Sequence, residues 1–524
     1  MSRHAGVSLP LFSAGSTSSW GIGEINDVAP LSAWLGSAGF DRLMLLPIGT
    51  MGADQTSPYS ASSAMAIDPI FISIEALADF AGAGGRAALS AAAREDLKRA
   101  VGAHRVAYGG IRRVKEEALR LAFAWFVQAE WEPLTLRGSQ LARFIAHEGW
   151  WLDDYALFQT IAADRPGESW RDWPAPLRDR DPQAMDDARR HLARGVLFHQ
   201  YVQWIALEQW QAARAAAAES GVTIIGDLPF VVDLHSADVW ARAGEFFLDV
   251  SLGVPPDAFS ATGQDWGLPV YRWDVVAAGD FAWIRQRARR MAALFGGFRV
   301  DHLVGFYRTY GRPKEGDPFF IPADEATQVW LGETVLEAFR GAGADILGED
   351  LGTIPDFVRA SMARRGVPGC KVLRWERAWD APEQPFISPS SYPELSATLT
   401  GTHDTDTLAG WWDRADRSER QTFLSLPHLQ ALGLTDPGQP WNDRLRDALL
   451  DLSYHSGSAD LYIPIQDLFG WGDRINVPGT VNDENWTWRL PWPVDRLDRT
   501  PDAIERARFC RELAAGSGRG RPST

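Results

Sequence analysis

Cysteine is scarce in this sequence: 524 residues include two, Cys370 and Cys510. Two thiols allow at most one disulfide and offer no metal-ligand spacing, which fits a reducing compartment better than secretion. Long apolar runs are missing as well. No stretch has the length of a membrane-spanning helix, and Met1-Ser2-Arg3-His4 leads into no apolar signal segment. Basic residues are the minority, 52 Lys and Arg against 68 Asp and Glu, for a net charge of -16. That balance argues against nucleic acid and against an anionic membrane surface as partners. A cytoplasmic protein is the expectation.

What is present is ordinary globular material, 45% hydrophobic and 23% charged, enough for a large core. The length exceeds one minimal domain, so either one large barrel with insertions or two to four smaller domains is expected. Aromatics are skewed toward Trp and Phe, 24 and 25 against 10 Tyr. Most Trp side chains serve as core, but one exposed in a cleft offers a flat face suited to stacking on sugar rings.

Residues 1–75 read as loop-rich, with a helical pattern near 29–38 and a strand-like run at 42–48. The Ser57-Pro58-Tyr59 segment, small, polar and broken by proline, reads as a loop over a pocket. From about 74 to 220 the texture becomes Ala- and Arg-rich with helical periodicity at 87–101, 112–129, 140–158 and 184–219. That is too much helix for one connection, so residues 1–73 are assigned to a barrel and 74–220 to an inserted helical subdomain. After Gly221, strand candidates at 222–227, 297–301, 344–349, 371–376, 399–404 and 459–466 alternate with helices. All but the last finish on Asp or Glu. Acid-tipped strands separated by helices predict an α/β fold, a (β/α)8 TIM barrel with its site at the C-terminal strand ends. A doubly wound sheet is the rival, but no Gly-rich nucleotide fingerprint follows any strand. The barrel is expected to resume over 221–510, with 253–268 as an overhanging loop and 511–524 as a disordered tail.

Phe298-Arg299-Val300-Asp301-His302 anchors the chemical reading. An Arg two residues before an Asp on an extended strand shares its face, so the guanidinium can fix the carboxylate and keep it ionised. Alone, Arg-x-Asp is as well explained by a structural ion pair. Glu349, in Gly348-Glu349-Asp350-Leu351-Gly352, and Asp404, in Gly401-Thr402-His403-Asp404, raise the odds by tipping two further strands. In a barrel, such distant acids converge on one mouth. Two carboxylates flanking a glycosidic bond can attack the anomeric carbon and protonate the leaving oxygen, while a third stabilises the cationic transition state. This chemistry calls for no metal and no organic cofactor.

More specific motifs lie elsewhere: Trp20-Gly21-Ile22-Gly23, Gly226-Asp227-Leu228-Pro229, the run from Pro255 to Gly267, Arg474-Ile475-Asn476-Val477-Pro478-Gly479-Thr480 and Asn485-Trp486-Thr487-Trp488-Arg489. With these the chain resembles the 4-α-glucanotransferases, the amylomaltases or disproportionating enzymes of glycoside hydrolase family 77. The resemblance implies a barrel without a separate C-terminal β-domain, and α-1,4-glucans with glucose or maltose acceptors as partners. It implies Asp301 as nucleophile, Glu349 as general acid/base and Asp404 as transition-state stabiliser. Arg299 would orient the nucleophile, His302 and His403 would bond sugar hydroxyls, and Asp227 would support. Tyr59, Asp257, Phe259, Gln264, Trp266 and Asn476 would contact glucan.

The chain also departs from the family pattern. Leu43-Met44-Leu45-Leu46-Pro47 stands where the first barrel strand usually carries Trp-Gln, Ala258 where Tyr is usual, and Thr405 where Asn is usual. The 308–325 segment is unlike that of common members, and Arg374 and Glu376 occupy a strand that usually ends neutrally. An α-1,4-glucan hydrolase of the α-amylase type and a catalytically silent glucan-binding protein are the alternatives.

Overall fold

The computed structural model describes residues 2–52, 54–256 and 263–520. Eight strands close into an all-parallel barrel: β1 (His4–Ser8), β2 (Arg42–Met44), β3 (Thr223–Leu228), β6 (Gly297–Val300), β9 (Asp345–Gly348), β10 (Gly369–Val372), β11 (Ser396–Leu399) and β12 (Asp460–Pro464). They pair in that order, and β12 returns to β1. The strands are short and nearly all buried, as expected where helices cover the outside and side chains fill the inside. Gly6 on β1 shows how tight that interior is: a Cβ there would sit 2.8 Å from the Tyr462 ring.

Strand positions differ from the sequence reading in three places. The first barrel strand is His4–Ser8, inside the stretch read as loop, and the 42–48 run forms the second. Five residues with one glycine give too little period-2 pattern to be recognised. The candidates at 371–376 and 399–404 begin and end earlier, at 369–372 and 396–399. Asp404 therefore stands on the loop after β11, not on its last residue.

Between β2 and β3 the chain carries the expected helices, among them Tyr108–Phe126, Leu136–Asp164 and Ala193–Glu219. Their apolar faces join the barrel's own main core cluster. Ala193–Glu219 packs against helix Val28–Ser37 and against β3, so the last helix of the insertion also serves as a barrel helix.

A second sheet was not foreseen. Strands β4 (Phe246–Val254), β5 (Gln264–Tyr271), β7 (Thr309–Pro313) and β8 (Phe319–Ile321) form an antiparallel sheet in the order β5-β4-β7-β8. The described strand residues of 253–268, 253–254 and 264–268, thus belong to β4 and β5, and 308–325, which had no assignment, supplies the other two strands. Gly, Pro and Asp in these runs mask their alternation. Asp257, Ala258 and Phe259 lie outside the described residues.

The tail is corrected too. Helix Pro501–Ser517 runs through most of 511–520, and Arg519 is 1% exposed. Its guanidinium donates to the carbonyls of Tyr454 (2.7 Å), Ala459 (2.9 Å), Ser456 (2.8 Å) and Ser458 (2.7 Å). A Gly-, Ser- and Arg-rich composition looks disordered, but one Arg bonded to four carbonyls is enough to order it. Among the described residues, no strand follows β12. Arg519→Ala is expected to cost about 2–4 kcal/mol by stranding the Tyr454 and Ser458 carbonyls, seen as a thermal midpoint lowered by several degrees with turnover of the folded enzyme retained.

Candidate active site

The site is built around Arg299, the third residue of β6. Residues alternate faces along a strand, so Arg299 points into the barrel while Phe298 and Val300 pack outward. Arg299 is 6% exposed. One terminal nitrogen donates to both carboxylate oxygens of Asp227, at 2.9 and 2.7 Å. The other lies 2.9 Å from Asp301 Oδ1 and 3.9 Å from Glu349 Oε2. Three acids from three strands thus share one cation, which removes most of their mutual repulsion.

Those two legs bound the Asp301–Glu349 oxygen separation at about 7 Å. That bound admits the roughly 5–5.5 Å of retaining glycosidases and lies below most of the roughly 6.5–9.5 Å range of inverting ones.

Glu349 accepts from the backbone amides of His302 (2.8 Å) and Leu351 (3.0 Å). The first of these depends on an unusual backbone. His302 adopts φ 47, ψ 52, the left-handed region that non-glycine residues seldom occupy. That turn, one residue after Asp301, aims the His302 N–H at Glu349 and the Asp301 carboxylate into the cleft. Local strain of this kind persists where its surroundings over-determine it.

Burial pushes the Glu349 carboxyl up to about 7; Arg299 opposes this, and the Asp301 charge adds to it. Burial also raises Asp227 to about 6 against the pull of Arg299. Asp404 goes the other way. Burial would raise it, but the His403 charge and the hydrogen bonds from His403 and Asn476 outweigh burial and hold it well below the usual carboxylate range. Asn476 Nδ2 donates to Asp404 Oδ1 at 2.7 Å, and His403 Nε2 stands 3.5 Å from Oδ2. The site therefore holds one carboxyl poised to carry a proton at neutral pH and another locked as an anion.

The sequence-assigned contacts divide into two groups. Asp301, Glu349, Asp404, Arg299, His302 and Trp266 line one open cleft of about 980 Å³. Trp266, on β5, meets the His302 ring edge-on at 4.8 Å, so the antiparallel sheet forms one wall of the cleft. Gln264 accepts from the Trp266 indole N–H at 3.1 Å and steadies it. Tyr59, Asp227, His403 and Asn476 form the supporting layer. The Tyr59 hydroxyl donates to Asp227 at 2.7 Å, and its ring stacks on His403 at 5.1 Å. In this structure Tyr59 and Asn476 spend their polar groups on Asp227 and Asp404, not on open cleft. Burial lowers His302 to about 4, so it stands neutral.

Three Trp side chains received no role in the sequence reading, though Trp486 belongs to one of its motifs. Trp375 and Trp379, 38% and 58% exposed, line the cleft from the segment after β10. Trp486 packs its ring beside both Tyr59 and His403, at 5.8 and 5.7 Å. Among 24 Trp, nothing local separates these from core indoles. Two of the family departures prove to be partners: the Arg374 guanidinium donates to Thr405 Oγ1 at 2.5 Å and to the Asp406 carbonyl, bracing the loop that carries Asp404.

A parallel (β/α)8 barrel whose C-terminal mouth gathers a cation-linked carboxylate pair and a third, anionic carboxylate defines an enzyme of glycosidic-bond chemistry. The sequence agrees with this class and narrows it. Residues 9–495 match the model of the family described as 4-alpha-glucanotransferase, and the chain belongs to that family. It is 36% identical to the 4-alpha-glucanotransferase of Thermus thermophilus, over 93% of this chain and 96% of the relative. It is 34% identical to that of Synechocystis, over 90% and 91%. Among solved structures, it superposes on the amylomaltase from Streptococcus agalactiae in complex with acarbose with a TM-score of 0.83 and 25% identity. That superposition covers 99% of this chain and all of that one.

A raised carboxyl makes stability depend on pH with a definite sign. Between 4.5 and about 7 the folded protein holds the Glu349 proton that the unfolded chain releases, so this group's contribution to stability declines as pH rises through that window. Thermal midpoints measured from pH 4.5 to 8 are expected to decline more steeply for the wild type than for Glu349→Gln, whose side chain does not titrate.

Proposed function

We propose that this chain transfers α-1,4-glucan segments to the 4-hydroxyl of glucose, maltose or a longer glucan, with retention of configuration. The observation that carries the mechanism is Arg299 bridging Asp301 and Glu349 at the mouth of the cleft. Asp301, oriented by the guanidinium, attacks the anomeric carbon as Glu349 gives its proton to the departing 4-oxygen. The C–O bond to the leaving glucan breaks as the bond to Asp301 forms, leaving a covalent glycosyl ester. Glu349, now a carboxylate, takes the proton from the acceptor 4-hydroxyl, which displaces Asp301 and regenerates the acid.

A carboxyl at about 7 suits both halves of that cycle, because proton donation and return stay balanced near neutral pH. Asp404, fixed as an anion by His403 and Asn476, faces the positive charge that builds at the sugar ring. Trp266 offers an apolar face on which an acceptor sugar displaces water, which favours transfer over hydrolysis. His302 and His403 remain the assigned hydroxyl partners, and Asp257, Phe259 and Gln264 the assigned glucan contacts of the overhanging segment. Two free, buried thiols suit a cytoplasmic setting, and no helix among the described residues is long and apolar enough to cross a membrane.

Incubation with maltotriose tests the reaction. Glucose plus a ladder of longer maltodextrins is expected; shortening alone marks a hydrolase, and an unchanged substrate that still binds marks a silent glucan binder. Asp301→Asn should lower turnover by about 10⁴-fold or more while keeping maltodextrin affinity. The pH profile of kcat/KM should fall on its alkaline side with an apparent pKa near 7 as Glu349 loses its proton, and that limb should vanish from the residual activity of Glu349→Gln.

A further inference from the structure

Outside the cleft lining, helices Pro427–Ala431 and Asp443–Tyr454 pack through Leu429, Leu445, Leu449 and Leu452 in a core cluster separate from the main one. At one end of this pair His428, Asp451 and His455 converge. His428 Nε2 lies 2.7 Å from Asp451 Oδ2, and His455 Nδ1 lies 3.2 Å from Asp451 Oδ1. The two imidazoles face each other at 5.3 Å between centroids. One nitrogen or oxygen from each of the three side chains falls within a common span of 4.8 Å. None of the three lines the catalytic cleft, and the proposed reaction uses none of them.

We propose that His428, Asp451 and His455 bind a divalent transition cation, with zinc as the best match, and that the cation staples the two helices together. Asp451 and His455 are four residues apart on one helix, the spacing that places two ligands on a single face. His428 supplies the third ligand from the neighbouring helix. Two imidazoles and one carboxylate form a borderline nitrogen and oxygen set that suits zinc, copper or nickel and not calcium or magnesium. Zinc bonds of about 2.0–2.2 Å in a tetrahedron space the donor atoms about 3.3 Å apart, close to the 3.2 Å between His455 Nδ1 and Asp451 Oδ1 and reachable by small side-chain turns from the 4.8 Å span of the three donors.

Exposure and the helix field point the same way. The side chains are 29%, 23% and 44% exposed for His428, Asp451 and His455, open enough for entry and for water as a fourth ligand. His455 caps the C-terminal end of its helix, where the macrodipole is negative and a cation is favoured. His428 Nε2 faces the Asp451 carboxylate and His455 Nδ1 the Asp451 backbone carbonyl, at 2.7 and 2.9 Å, so binding requires these nitrogens and the carboxylate to turn toward the metal.

The test uses the untagged full chain, stripped with a chelator and titrated with zinc chloride by calorimetry, then with cobalt(II) followed by visible absorption. One equivalent of zinc at micromolar affinity or tighter, an intense four-coordinate cobalt spectrum and a zinc-dependent rise in thermal midpoint are expected. His455→Gln and, independently, His428→Gln should each weaken zinc binding at least about tenfold and abolish the rise, with maltotriose turnover at the wild-type level. No saturable uptake by the wild type, or wild-type affinity in both variants, would overturn the assignment.

Discussion

A guanidinium surrounded by carboxylates from three strands is the constraint on which the mouth of this barrel is built. Without Arg299, Asp227, Asp301 and Glu349 would crowd one low-dielectric space, and their repulsion would drive protons onto them or push them apart. With it, the three differ. Asp227 takes two hydrogen bonds and becomes the cation's seat, Asp301 shares the far nitrogen, and Glu349 stands just beyond contact distance. That last gap matters. A Glu349 held at full salt-bridge distance would be driven toward ionisation, whereas at 3.9 Å burial prevails.

The layer behind the acids is tuned with the same economy. Tyr59, His403 and Trp486 form an aromatic cluster whose polar edges reach Asp227 and Asp404, so residues from distant parts of the chain fix the two supporting carboxylates in one motion. Arg374 and Thr405 extend this to the loop carrying Asp404. The contact needs both side chains at once. Double-mutant logic would treat them as one unit.

How much of this could be read from residues alone depended on the kind of signal. The Arg-x-Asp spacing on β6 already implied a shared face, since strand geometry converts a two-residue offset into proximity. Glu349 and Asp404 were legible as acids near strand ends, and the barrel followed from their alternation with helices. Short strands with glycine, such as His4–Ser8, left no period to detect. The antiparallel sheet was hidden because Phe246–Val254 and Thr309–Pro313 find their partners across a barrel strand, a pairing that local pattern does not encode. The ordering of Arg519 was equally invisible, since it rests on carbonyls contributed by residues 454–458 and by Ala459. Tyr59 and Asn476 were read as glucan contacts, and only coordinates could show that their polar groups turn inward to Asp227 and Asp404.

One feature of the added sheet reaches further than its role as a wall. Its two hairpins leave the barrel on either side of β6, one before and one after Asp301, and β4 laces to β7 across that gap. Trp266 therefore hangs from the same ladder that leads back through Thr309 to the turn at His302. The wall that carries Trp266 and the turn that aims the Asp301 carboxylate are thereby parts of one hydrogen-bonded frame.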